Sequence, residues 1–454
     1  MIKLPQYVKA FMDVFHKKNY QFYLVGGTVR DLLLDKLKPA DDQWNFADFA
    51  TNARPEKIQQ LFPNSFYTNK FGTVGVKVKN KQQEYIFEVT TFRTEGQYED
   101  ARHPSKVFWA KTIEEDLARR DFTINAMAYD GKKLIDLYGG QKHLKAKLIA
   151  AVGDPDKRFS EDALRLLRAV RFCSELGFML GEATRESIRK NASLIAKISG
   201  ERIRDEVIKI LASKNPAEGT LFMRSTGLLE MIFPEIDACF LIPQKSPKRH
   251  HIFDVGTHLV MSLKHCPSPD PITRFAALLH DVGKAKTFKK DQKTGLITFY
   301  NHEVVGAKIA AEMADRLRMS KKDKHKLVIL VRMHQFTVSE LQTDKAVRRF
   351  IRQVGKKYLQ DILDVRTADR IGSGATPSSW RLDLFKKRLE EVQKEPFTVG
   401  DLKINGNDVM KALGIKPGPK VGEVLNKLFE EVTEGRLKNQ RNVLLNRLET
   451  FKKA

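Results

Sequence analysis

The sequence predicts an α+β protein, a small head built on a mixed sheet followed by a long all-helical remainder. Two observations predict it. Strand signals are confined to the first third of the chain. There "QFYLVGG", "FGTVGVKVKN", "EYIFEVTTFR" and "KLIDLYGG" are rich in β-branched and aromatic residues and flanked by turn residues. From about Asp154 the pattern changes, and "SEDALRLLRAVRFCSELGF", "ERIRDEVIKILAS" and "AEGTLFMRSTGLLEMIF" repeat apolar residues at helical spacing.

Punctuation divides the chain further. "DACFLIPQKSPKRHH", with its prolines and basic cluster, reads as a linker into a second helical region that runs to about Gly374. "GATPSS" then precedes closing helices that include "GIKPGPKVGEVLNKLFEEV". These breaks give a head (1–148), a helical neck (149–245), a second helical domain (246–375) and a helical tail (376–454). No fixed-period repeat and no low-complexity tract interrupts them.

Composition bounds the function. With 454 residues and 42% apolar content, the chain has ample material for packed cores. The opening "MIKLPQYVKAFMDVF" lacks a secretory cleavage site, and no apolar run approaches the ~18 residues of a membrane span. Cys173, Cys239 and Cys266 lie far apart, which excludes a disulfide framework or a thiolate zinc site. A soluble protein of the reducing cytoplasm is expected, with no membrane partner and no obligate protein partner evident. The net charge is +24. An excess of this size points to a polyanion, and nucleic acid fits best because phosphate neutralisation releases counterions.

In the head, Gly26 and Gly27 end an apolar strand and open the helix "TVRDLLL". Glycines there let backbone amides approach a polyphosphate, and a helix N-terminus favours negative charge. The spacing is neither the dinucleotide fingerprint nor a Walker loop. The loop that follows is dense in aspartates, including Asp41, Asp42 and Asp48. Two carboxylates on adjacent strand ends can hold paired divalent cations, and Glu88 in "YIFEVTTFR" is a candidate third ligand. Arg119, Arg120 and Asp121 precede an apolar run that returns to the same sheet, a placement suited to phosphate contacts.

In "SEDALRLLRAVRF", Ser160 reads as an N-cap, and Asp162 and Arg165 stand three apart on one helix face. Two readings of that pair stand: an i,i+3 salt bridge, or an acceptor and a planar donor fork matching the edge of a nucleobase. Arg168 continues the same stripe toward a triphosphate.

The motifs "LVGGTVRDLLL", "FATNARPEKI", "FEVTTFRTEGQYEDARHP", "RRDFTINAMAYD", "DLYGGQKHL" and "RFSEDALRLLRAVRF" together resemble the class II tRNA nucleotidyltransferases, the CCA-adding enzymes of the polymerase-β-like superfamily. The resemblance runs in order from Tyr23 to Phe172. It implies a nucleotidyltransferase that extends tRNA from CTP and ATP with magnesium. Asp42, Asp48 and Glu88 would be the catalytic carboxylates, with Asp42 and Asp48 as metal ligands. Gly26, Gly27, Arg30, Arg119, Arg120, Asp121, Asn125, Asp162, Arg165 and Arg168 would bind nucleotide. It further implies that Asp162 and Arg165 form a protein template, and that "TEGQYEDARHP" is a flexible loop used in the switch to ATP. Bacterial poly(A) polymerases generally differ where "RRDFTINAMA" stands, which favours CCA addition.

One feature departs from that pattern. The family carries Asp-x-Asp just before the Thr of "FAT"; here the second aspartate falls on Asp48 and the first on Phe46. Either a bulge brings Asp42 (or Asp41) to Asp48, or the first metal site is broken.

A second chemistry is written in histidines. Eight of the chain's 11 lie between His250 and His334. His258, His280-Asp281, His302, His334 and Asp369 each sit on or at the end of an expected helix, and such mixed imidazole and carboxylate donors suit a hydrolytic divalent site. The arrangement resembles the HD phosphohydrolase superfamily from His251 to Asp369. The resemblance implies a core site of His258, His280, Asp281 and Asp369, extended by His302 and His334 to a second Mn, Ni, Co, Fe or Mg ion, with Lys284 steadying a phosphate. Two alternatives follow: an HD phosphohydrolase whose impaired head only binds RNA, and a poly(A)- or A-adding polymerase. The basic tail helices would hold the tRNA body by shape and backbone.

Overall fold

The computed structural model describes residues 2–38, 44–69, 72–81, 83–95, 107–244, 253–393, 399–434 and 436–451. Asp41 and Asp42, most of "TEGQYEDARHP" and the basic linker at 245–252 lie outside the described residues.

The head is a mixed seven-stranded sheet. Its strands are β1 (Phe22–Val25), β2 (Ala47–Thr51), β3 (Phe66–Asn69), β4 (Thr73–Asn80), β5 (Gln83–Thr91), β8 (Met127–Tyr129) and β9 (Leu134–Asp136), in the order β3-β4-β5-β2-β1-β8-β9. A hairpin of β6 (Arg93–Glu95) and β7 (Val107–Trp109) stands apart. β2 runs parallel to β5, and the other pairs in the sheet are antiparallel. Alternation along β5 buries Tyr85, Phe87 and Val89 on one face and turns Ile86, Glu88 and Thr90 to the other.

The first face is sealed by α1 (Gln6–His16), whose Val8, Phe11, Met12 and Phe15 recur at helical spacing. The ring of Phe11 lies 5.3 Å from Phe49 and 5.0 Å from Phe87. On the opposite face Ile113 and Leu117 cover Val25, Ala50 and Ala128, and the part around Asp48 is left open for chemistry.

Three short helices complete the head: α2 (Gly26–Leu33), which starts directly at the end of β1, α3 (Pro55–Leu61) and α4 (Ile113–Ala118). Past α5 (Gly140–Lys145), the chain enters the neck through α6 (Pro155–Glu161) and α7 (Leu164–Leu176). Asp154, not Ser160, caps α6: its side chain accepts from the Asp156 N–H, while Ser160 Oγ donates back to Lys157 O within the helix. Asp162 takes extended dihedrals (φ −142°, ψ 105°) and breaks the helix. Asp162 and Arg165 thus do not share one helix.

The remainder is helical, with two exceptions to the all-helical expectation among the described residues: Met179–Leu180 of the neck runs parallel to Leu148–Ile149, and a small hairpin pairs Lys289–Lys290 with Ile297–Thr298. One continuous core runs from Leu4 through the neck to Val392, and a separate core in the tail runs from Leu402 to Leu448. Two helices meet closely between neck and body. Helix Gly200–Ala212 begins against the end of helix His302–Arg316, so tightly that a Cβ on Gly200 would stand 2.1 Å from Arg316 O. Among the described residues, no helix is long and apolar enough to cross a membrane. The three cysteines are free and buried.

Candidate active site

Between the open face of the sheet and the neck lies a cleft of about 570 Å³. It gathers Gly26, Gly27, Arg30, Asp48, Arg119, Arg120, Asp121, Asn125, Asp162, Arg165 and Arg168, all singled out in the sequence. Gly26 has φ +65°, a left-handed conformation, and a Cβ there would meet Arg120 Nη1 at 3.0 Å and Asp48 Oδ2 at 3.3 Å. Only glycine keeps that floor open.

The walls are cationic: eight arginines face four carboxylates, a balance suited to a polyphosphate. Buried Asp116 fastens two of them, accepting from Arg119 Nη2 at 2.8 Å and Arg120 Nη2 at 3.0 Å. Burial alone would raise this carboxyl, but the two guanidiniums outweigh it and hold it low. Asp121 behaves alike. Its burial is opposed by Arg168, whose Nε donates to Oδ2 at 2.9 Å, and the carboxyl falls to about 2. Arg30 Nη1 donates to Asn125 Oδ1 at 2.9 Å.

Asp162 and Arg165 face the same cleft without pairing to each other. Asp162 Oδ2 accepts from Arg202 Nη2 at 2.8 Å, and its Oδ1 caps the Leu164 N–H at 3.1 Å. Arg165 donates to Glu161 Oε2 at 2.7 Å and to Arg119 O at 3.1 Å. The salt-bridge reading is corrected: the helix break separates the pair and gives each its own anchor.

Asp48 pairs in register with Glu88 across the parallel β2–β5 ladder. Burial raises Asp48 to about 6 against the pull of Arg120, and Glu88 pushes the same way; burial raises Glu88 too. Two neighbouring carboxylates destabilised in this way fit a divalent cation, which would relieve both. Two residues before Asp48 stands Phe46, at φ +62° and 56% exposed, with its N–H bonded to Ile86 O at 2.6 Å. It offers no ligand atom.

The histidines converge as well. His258 Nε2 lies 3.1 Å from His280 Nε2 and 3.3 Å from Asp369 Oδ1. His302 Nε2 lies 3.3 Å from His334 Nε2 and 3.1 Å from Asp281 Oδ1. Asp281 joins the two groups, its Oδ2 reaching His280 Nε2 at 3.4 Å. His280, His302 and His334 each place Nδ1 2.8 Å from a backbone carbonyl, of Ala277, Phe299 and Val331. A carbonyl only accepts, so Nδ1 carries the proton and Nε2 presents a lone pair. Lone pairs and carboxylates aimed at one another at this range fit a pair of metal ions. All of these residues are buried except Asp369, which is partly open.

The head matches the family model described as "Poly A polymerase head domain" over residues 22–150. Residues 177–240 match "Probable RNA and SrmB- binding site of polymerase A", and 289–448 match a tRNA nucleotidyltransferase domain 2. The CCA-adding enzyme of Ligilactobacillus salivarius is 33% identical over 97% of this chain and 96% of its own. The chain belongs to the CCA-adding enzyme family. It is a nucleotidyltransferase, and enzymes of this family depend on divalent metal. An A-adding tRNA nucleotidyltransferase of Deinococcus radiodurans is also 33% identical, over 90% of each chain. Among solved structures, the CTP complex of the Bacillus stearothermophilus CCA-adding enzyme is similar with a TM-score of 0.72 and 27% identity, over 99% of this chain and 98% of that one.

Within this CCA-adding-type cleft, sequence reasoning missed Arg202, Arg171, Phe172 and Asp116. Arg202 lies in "ERIRDEVIKILAS", read only for its apolar period. Phe172 carries the guanidinium of Arg171 at 4.3 Å and those of Arg30 and Arg168 at 5.4 and 5.5 Å, a cation–π stack that a local pattern does not reveal.

Proposed function

We propose that the cleft adds CMP, CMP and AMP to the 3′ end of tRNA from CTP and ATP, without a nucleic-acid template. The observation that carries this reading is the separate anchoring of Asp162 and Arg165. Both line the cleft from separate anchors, one an acceptor carboxylate and the other a planar donor fork, the two kinds of group a base-reading pair requires. The tRNA 3′ oxygen bonds the α-phosphorus, the α–β bridging bond breaks, and pyrophosphate leaves as the hydroxyl proton passes to solvent. Gly26 and Gly27 let the triphosphate approach the backbone. Arg119, Arg120 and Arg168 neutralise it, and Arg30 with Asn125 closes the floor. Asp42 and Asp48 would hold magnesium, with Glu88 as the third donor. When bound, the ion lowers the pKa of the attacking hydroxyl and offsets charge on the leaving group.

On this reading residues 1–148 catalyse, 149–245 select the base, and the basic tail at 376–454 holds tRNA. Residues 246–375 form an HD phosphohydrolase domain. Its cluster of His258, His280, Asp281, His302, His334 and Asp369 would take Mn, Ni, Co, Fe or Mg and hydrolyse a phosphoester. Phe46, standing in the place of a metal-binding aspartate, favours one second reading: a head that binds tRNA while the histidine centre does the chemistry.

Incorporation of labelled CTP and ATP into a tRNA transcript lacking its CCA end separates these. Full addition, lost on Asp48→Ala, supports the first reading. Addition of A alone would make the protein an A-adding specialist. No incorporation with tRNA still bound supports the second.

A further inference from the structure

The buried lysine of the histidine centre has a partner that the metal-ligand set does not account for. Gln244, 2% exposed, accepts through Oε1 from Lys284 Nζ at 2.7 Å, and the same Nζ lies 2.5 Å from Asp281 Oδ2. An ammonium only donates, so this contact fixes the carboxamide with its oxygen toward Lys284 and its Nε2 turned away. That Nε2 is fully removed from solvent and has no hydrogen-bond partner. Buried donors are almost always satisfied, and one left open beside a cluster of this kind marks a place where a ligand brings the acceptor. Lys284 has spent two of its three hydrogens, which leaves one more donor beside it.

We propose that Gln244 Nε2, together with Lys284, binds a non-bridging oxygen of a terminal phosphate, and that the histidine centre takes phosphomonoesters. The proposal rests on reading that centre as a metal-dependent phosphohydrolase. Two divalent ions with Lys284 outweigh Asp281 and Asp369 in charge, and a monoester dianion balances that excess better than a diester monoanion. Gln244 belongs to the segment that enters this domain, outside every ligand-bearing helix, so it recognises substrate without altering the metal cage.

The test uses the full-length protein loaded with Mn²⁺, with p-nitrophenyl phosphate as substrate and inorganic phosphate as competitor. Gln244→Met keeps the volume and removes the donor. Gln244→Glu keeps the acceptor for Lys284 and sets a charged oxygen where the donor stood. Both variants should retain the parent's manganese content and melting temperature. For Gln244→Met, KM and the phosphate inhibition constant should rise about tenfold with kcat within about threefold. For Gln244→Glu, the rise should exceed about a hundredfold. Unchanged phosphate inhibition in both metal-loaded variants overturns the proposal, as does a joint fall of metal content and kcat, which marks a structural role. A parent that takes up no manganese overturns the phosphohydrolase reading itself, a result seen before any variant is made.

Discussion

Arg202 holds Asp162: its Nη2 donates to Oδ2 at 2.8 Å from a helix forty residues farther along the chain. The carboxylate proposed to read the nucleobase is therefore set by a tertiary contact and not by its neighbour Arg165. Arg202→Ala should leave Asp162 free to turn. Incorporation of UMP and GMP relative to CMP and AMP should rise about tenfold, the scale of one bidentate base contact, and Arg202→Lys should recover part of the loss. Single-turnover incorporation with each of the four nucleotides measures this; unchanged discrimination would rule out the clamp.

Phe46 occupies a left-handed backbone position, which aspartate tolerates better than a bulky aromatic. Phe46→Asp should keep or raise the melting temperature and add a carboxylate near Asp48. The magnesium concentration for half-maximal CMP incorporation should fall severalfold. A higher magnesium requirement in the variant would mean that Phe46 stands outside the metal site.

Asp121 titrates at about 2 against an ordinary 3.8. Because its folded value is depressed, the unfolded chain binds more protons, and the pair with Arg168 adds stability above pH 3.8 that is lost as pH falls toward 2. The difference corresponds to about 2 kcal/mol. Asp121→Asn should lower the melting temperature at pH 7, and the gap to the parent should narrow as pH is lowered below about 4. A gap independent of pH would mean that the loss comes from shape and not charge.

His280 Nε2 faces both His258 and Asp281. His280→Ala should reduce manganese content and abolish phosphoester hydrolysis while CMP and AMP incorporation stays within about twofold, since the two centres share no ligand. Chelation followed by magnesium alone tests the same separation. Loss of both activities in His280→Ala with the fold intact would show coupling of the centres.

Much of the cleft was legible in the sequence because its residues sit in contiguous motifs. The glycines at the end of β1, the Arg119–Arg120–Asp121 run and the Asp162–Arg165–Arg168 stripe all reach one cavity. What stayed hidden depends on contacts between distant segments. β2 reads "ADFAT", too poor in β-branched residues to announce a strand, yet it lies at the centre of the sheet because β1 and β5 flank it. Ser160 looked like a cap because Asp154, with Pro155 behind it, begins the helix one and a half turns earlier. Arg202 and Gln244 carry no local signal; each matters only through a partner forty residues away.

The helix His302–Arg316 starts at a histidine of the second centre and ends against Gly200, two residues before Arg202. At 1.5 Å per residue it interposes about 21 Å between them, and the junction has no room even for a methyl group. The protein thus carries a built-in ruler. On the proposed functions, an RNA terminus seated among the arginines of the cleft is out of reach of the histidines, so hydrolysis at one centre and extension at the other would take turns, with the end let go in between.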